Sequence, residues 1–144
     1  MIFPNLVFDR DTSDLSNNTS KAYHNASDLQ RINEACIYLS DIFNQIGLTN
    51  TIITKDQWGD FDYTVQNVGQ IVQNISTLQE ILEVTEFTPE VPEDFNKPTL
   101  EKANDLELIL DSIYRLGNFL LTSDMQIFMT SENEIFLYKY EEAQ

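Results

Sequence analysis

The chain has little of what catalytic and metal-binding sites are built from. Among 144 residues there is one cysteine, Cys36, and one histidine, His24. A single cysteine excludes an internal disulfide and a cysteine-based structural zinc site. One histidine twelve residues from one cysteine, in a different local setting, cannot assemble a Ser/His/Asp or Cys/His constellation. Four glycines supply no phosphate-cradling loop. Basic residues are scarce as well: 8 Lys and Arg stand against 24 Asp and Glu, a net charge of −16. That charge repels phosphate backbones and anionic bilayers, so neither direct nucleic-acid binding nor membrane association is expected. No apolar run approaches the length of a membrane span. Met1 to Phe8 lacks a basic flank and carries Pro4, so no signal peptide is expected and synthesis is assigned to the cytoplasm.

Apolar and aromatic residues are plentiful, at 42% of the chain with nine Phe and six Tyr. A chain of this size with that content forms one domain with a sizeable core. Leu29, Ile32, Cys36, Leu39, Phe43 and Ile46 recur at helical steps, predicting a helix over 28–46. Ser27 is its expected N-cap, with Gln30 completing a capping box, and Gly47 its C′ residue. Val68, Ile71, Val72, Ile75, Leu78 and Leu82 predict a second helix over 64–84, with a Gln- and Asn-rich opposite face. Gly69 inside it suggests a close neighbour. Pro89 and Pro92 then make 86–98 a polar connection. A third helix starts after Thr99, its N-cap, with Ala103, Leu106, Leu110, Ile113, Gly117 and Leu120 on one stripe. Leu108, Ile109, Leu116 and Leu121 widen that stripe.

Beyond residue 122 the period changes. Gln126–Thr130 and Glu134–Tyr140 are rich in branched and aromatic residues and read as strands around a turn at 131–133. Ile135 and Leu137 share one face. Phe136, Tyr138 and Tyr140 share the other. The fold class is therefore mainly α: an extended arm (1–22), a compact three-helix bundle (23–122) and a small C-terminal β-hairpin (123–144). A bundle covers only one face of that ribbon. The arm, apolar at Ile2, Phe3, Leu6, Val7 and Phe8 and polar over 9–22 with no helical period, is expected to add to the ribbon as a strand, in its own subunit or in a neighbour, and both termini to bury against another subunit. Ile2, Phe3, Leu6, Phe8, Phe128, Phe136, Tyr138 and Tyr140 are the candidate interface residues.

Other candidates are weaker in chemistry. Asp9 to Asp14 alternates oxygens like a calcium loop but lacks the loop's glycine and closing glutamate, so turn and capping hydrogen bonds are the ordinary reading. Asp56, Asp60 and Asp62 form a second acidic group. Trp58, Phe61 and Tyr63 could stack on a sugar ring as a ligand platform, or Trp58 could fold over the bundle. No carboxylate pair stands out for glycoside chemistry. No enzyme activity and no cofactor are expected.

Several short motifs occur in a fixed order over residues 8–120: Asp9-Arg10-Asp11-Thr12; Tyr23-His24-Asn25-Ala26-Ser27-Asp28-Leu29-Gln30-Arg31-Ile32; Trp58; Thr88-Pro89-Glu90-Val91-Pro92; and Thr99-Leu100-Glu101-Lys102-Ala103-Asn104. This set resembles a module of virion-associated proteins from phages and prophages of low-GC Gram-positive bacteria. Gln30 stands where that pattern has Asn, and His24 interrupts Tyr23 and Asn25. The resemblance implies a non-enzymatic structural protein of the virion, tail- or baseplate-associated. Its partners would be other virion proteins and symmetric copies of itself. Capsid decoration or head-fibre anchoring is the nearest alternative, a carbohydrate- or receptor-binding module another, and an intracellular adaptor a third. Tyr23, Asn25, Ser27, Asp28 and Arg31 read physically as a structural motif. Oxygens at a helix start accept free N–H groups, Asp28 sits in the first turn, and Arg31 is free to pair with an acid of the arm or of a neighbour.

Overall fold

The computed structural model describes residues 2–19, 25–55, 57–59, 61, 64–81, 88–92, 99–122, 125–129 and 135–139, with side chains through Phe119. The protein is mainly helical. A one-turn helix α1 (Thr12–Ser16) precedes three long helices, α2 (Ala26–Gln45), α3 (Val65–Ile81) and α4 (Leu100–Thr122). The three long helices pack pairwise on one another. After α4, β1 (Met125–Met129) and β2 (Ile135–Lys139) pair antiparallel, with Ile127 opposite Leu137. The turn between them and Tyr140 lie outside the described residues.

The helical stripes are the core. Leu29, Ile32, Cys36, Leu39 and Phe43 of α2, Ile71, Ile75 and Leu78 of α3, and Leu106, Ile109, Leu110 and Ile113 of α4 are all buried together. Cys36 is fully enclosed, and burial pushes its thiol up to about 12, so it is an inert apolar filler. Gly117 faces the Phe43 ring, which a Cβ would meet at 3.6 Å, an ordinary contact. Gly69 has no such neighbour: among the described residues nothing lies within 4 Å of a Cβ placed there. The close approach expected at Gly69 is thus replaced by an exposed position where glycine only weakens the helix.

Helix ends follow local hydrogen-bond chemistry. The N-cap of α2 is Asn25, not Ser27. Asn25 Oδ1 accepts the Ser27 N–H at 2.9 Å, and Asp28 returns to the Asn25 N–H at 2.8 Å. The helix therefore begins two residues before the expected 28, because Asp28 provides the reciprocal carboxylate of the box that Gln30 was expected to complete. Gln30 is used elsewhere, accepting the Trp58 backbone N–H at 2.7 Å. At the other end, Gly47 has φ +89°, and the Leu48 N–H reaches the Phe43 carbonyl at 2.8 Å, closing a Schellman turn that buries Leu48. Thr64 and Thr99 cap α3 and α4 through their hydroxyls, which accept N–H groups three residues on at 3.2 and 3.1 Å.

The arm departs from the expectation in two ways. Residues 11–16 are not extended: Asp11 and Asp14 cap each other's backbone and nucleate α1 without an apolar period. The apolar part of the arm lies on its own bundle and forms no strand. Phe3 stacks on Tyr114 at 3.9 Å between ring centroids and meets Tyr38 edge-on at 5.4 Å, and Leu6 packs against the core.

Replacing Ile32 or Leu106 with Asp places an unpartnered charge among fully buried neighbours, so either variant should lose cooperative thermal unfolding. Gly69→Ala should act oppositely, stabilising by up to about 1 kcal/mol in denaturant titration.

Candidate functional site

The most highly organised polar cluster is buried where the arm crosses the bundle. Glu107, on the inward side of α4, is completely enclosed. Both its oxygens are occupied. Oε1 accepts the Val7 backbone N–H at 3.0 Å and Arg31 Nε at 2.5 Å; Oε2 accepts Arg10 Nη2 at 2.7 Å and Arg31 Nη2 at 2.9 Å. Asp28 completes the set, accepting Arg31 Nη2 at 2.5 Å and Arg10 Nη2 at 3.4 Å. Two cations and two anions thus neutralise one another. Burial works against the charge on Arg31, but hydrogen bonds and attraction to Glu107, and then to Asp28, outweigh it and raise its pKa above the ordinary arginine value. The Arg10 side chain, 2% exposed, also donates through Nη1 to the Val7 carbonyl at 2.7 Å and to Asn104 Oδ1 at 3.3 Å.

Asn104 adds a backbone clamp. Its Oδ1 accepts the Arg10 N–H at 3.0 Å and its Nδ2 donates to the Arg10 carbonyl at 2.9 Å. Asn74 of α3 treats Ile53 in the same way, at 3.1 and 2.6 Å. In each case one amide side chain does for one residue of irregular chain what an adjacent strand would do in a sheet. Gln79 holds the 88–92 segment through Thr88 Oγ1 at 2.8 Å and the Pro89 carbonyl at 3.1 Å. Asn74 and Gln79 are buried, so part of the amide-rich side of α3 is turned to irregular segments of the chain rather than to solvent.

The sequence candidates sort as follows. Asn25, Asp28 and Arg31 sit at the start of α2, and Ser27 is exposed beside them, donating its hydroxyl to Asn25. Arg31 pairs with Asp28 and with Glu107 of α4; from the arm it is not an acid but Arg10 that joins the cluster. Tyr23 lies outside the described residues. Of the ligand-platform candidates, Trp58 folds over the bundle, the second of its two readings: it packs half-buried against the core under Lys55, whose Nζ is 5.5 Å from the ring centre, while Phe61 is 98% exposed. Tyr63 and Asp56, Asp60 and Asp62 lie outside the described residues. Of the interface candidates, Ile2 and Phe8 are exposed, whereas Phe3 and Leu6 cover the chain's own bundle, because the Arg10 anchor draws the arm across α2 and α4. The side chains of Phe128, Phe136 and Tyr138 are not described.

Arg10 and Asn104 belong to the quoted motifs, but nothing in the local sequence marks them as partners. Glu107 carries a readable signal: it lies four residues after Ala103 and three before Leu110, an acid on the apolar stripe. Glu107 and the Arg10 guanidinium are closed off from solvent, Asp28 and Arg31 form the partly exposed edge of the cluster, and Glu107 has no spare acceptor, so the chemistry here is cohesion. A shallow groove of about 260 Å³ lined by Ile37, Ser40, Asp41, Asn50, Thr51, Ile52 and Thr54 is open and polar. Among the described residues, no group of His, Cys, Asp and Glu is placed to hold a metal ion, and no helix is long and apolar enough to cross a membrane. No family model matches the chain, and neither does any curated protein or solved structure.

Removing one partner from a buried ion cluster leaves the others uncompensated. Glu107→Ala and Arg10→Ala should each destabilise by about 3–5 kcal/mol, and the double variant by clearly less than their sum, as read by a double-mutant cycle in denaturant. Arg115→Ala, which breaks only the exposed pair with Asp111, should leave the melting temperature unchanged.

Proposed function

We propose that this chain is a non-enzymatic structural subunit of a phage particle, tail- or baseplate-associated and present in symmetric copies. Its partners in this reading are neighbouring virion proteins. The observation that carries the reading is how the residues of the motif resemblance are used. Arg10, Asp28, Arg31 and Asn104 lie in one largely buried cluster, Trp58 is tied to α2, and Thr88 and Pro89 are tied to α3. These residues hold an arm and two loops on a bundle. None of them lines the open groove between Ile37 and Thr54. A particle component needs that kind of cohesion.

In this reading contact with other subunits falls to the exposed end of the arm, at Ile2 and Phe8, and to the C-terminal hairpin with its two apolar faces. Ile2→Ser combined with Phe136→Ser and Tyr138→Ser should leave the melting temperature of the bundle near that of the parent and abolish incorporation into particles, scored by particle composition after infection or induction. Normal incorporation of the folded variant would move docking to the helix faces.

One observation favours the carbohydrate-binding alternative: Phe61 presents nearly its whole ring to solvent. A glycan array separates the two readings. Under the structural reading the chain binds no glycan specifically; specific binding lost on Phe61→Ala would favour the receptor-binding role.

A further inference from the structure

The connection from α2 to α3 is held down by amide side chains. Asn74 clamps Ile53, Asn33 Nδ2 donates to the Lys55 carbonyl at 2.7 Å, and Gln30 Oε1 accepts the Trp58 N–H at 2.7 Å. Two polar atoms are left over at this contact. Asn33 Oδ1 and Trp58 Nε1 are both closed off from solvent, and among the described residues no group meets either of them. Asn33 as a whole is 1% exposed. Buried polar groups are nearly always hydrogen-bonded, because an unmet donor or acceptor has given up its water for nothing.

Neither atom can find a partner by turning in place. The Lys55 carbonyl only accepts, so it fixes which end of the Asn33 amide faces it; flipping the amide would set two oxygens against each other. The indole N–H only donates, and swinging the ring would lift Trp58 off the core against which it packs. The two atoms also share one region. Gln30 and Asn33 lie one turn apart on the same side of α2, and they hold residues three apart in the connection. Lys55 Nζ is 5.5 Å from the centre of the Trp58 ring, so the ring folds back beside the residue whose carbonyl Asn33 holds.

We infer that this region is a binding site for an internal water molecule, which accepts the Trp58 indole N–H and donates to Asn33 Oδ1. The pair calls for a ligand that both accepts and donates. A cation would meet only the amide oxygen, and an anion only the indole. A hydroxyl group does both, and a site closed to solvent admits the smallest molecule that carries one. The water completes the seal between the connection and α2. It also occupies the indole N–H, so Trp58 has no donor to offer a ligand from outside. The inference does not depend on the virion reading.

The test is water–protein NMR on the unaltered, isotope-labelled full chain. The Trp58 indole proton and the Asn33 side-chain amide should each show cross-peaks to water. The NOE and ROE should have opposite signs, the mark of a water that tumbles with the protein; equal signs, or no cross-peak at the indole proton, overturn the site. Lys55→Met removes the exchanging ammonium beside the ring and should leave the indole cross-peak in place. Its loss from the folded variant would assign the signal to the ammonium and reject the water. Trp58→Phe keeps an aromatic ring without the N–H, and the Asn33 cross-peak should be lost. An Asn33 cross-peak of full intensity in folded Trp58→Phe overturns the bridge between the two side chains. Particle incorporation and glycan binding are measured separately, so failure here leaves those readings to their own tests.

Discussion

A carboxylate buried away from water determines much of this structure. Glu107 lies on the inward side of α4, where apolar neighbours give it no solvation. An ionised acid there is stable only if several donors converge on it. Arg31 alone does not supply enough of them. The remaining donors are the Arg10 guanidinium and the Val7 N–H, and both come from the arm. The arm is therefore held in place by the requirements of one side chain on a helix about a hundred residues away. Its apolar contacts follow from that anchor: with Arg10 fixed, Phe3 and Leu6 lie over the bundle and cover Tyr38, Tyr114 and the core.

The same device recurs at lower charge. Asn104 clamps Arg10, Asn74 clamps Ile53, and Gln79 holds Thr88 and Pro89. Each ties a segment without regular structure to a helix by satisfying backbone or side-chain groups that would otherwise be buried unpaired. A three-helix bundle with short loops needs few such ties. This chain has long connections and an arm, and its amide-rich composition supplies the side chains that secure them. The high net negative charge is compatible with this arrangement because the cluster is locally neutral. Among the described residues, the acids outside the cluster are exposed or half-buried, where water solvates them.

This pattern also explains the proposed role. The residues that carry the resemblance act on the fold, and in the proposed role the contacts with partners fall to the exposed Ile2 and to the C-terminal hairpin.

The sequence by itself determined the long helices and their inward faces, because apolar residues at helical steps are buried whatever surrounds them. Leu29 to Phe43 and Leu106 to Ile113 could be read directly. Gly47 and Thr99 were legible too, since helix ends obey short-range hydrogen-bond rules; Asn25 was missed as the cap of α2 because Ser27 offers the same oxygen two residues later. α1 was missed because a reciprocal aspartate cap leaves no apolar period. The tertiary structure alone decided the rest. That Glu107 meets Arg10 and Arg31, that Asn104 clamps the arm, and that Trp58 packs inward while Phe61 remains outside are facts about segments far apart in the chain. Pairings between such segments are set by how three helices place their side chains in one interior, where an unpaired charge is too costly to remain. No local pattern encodes them.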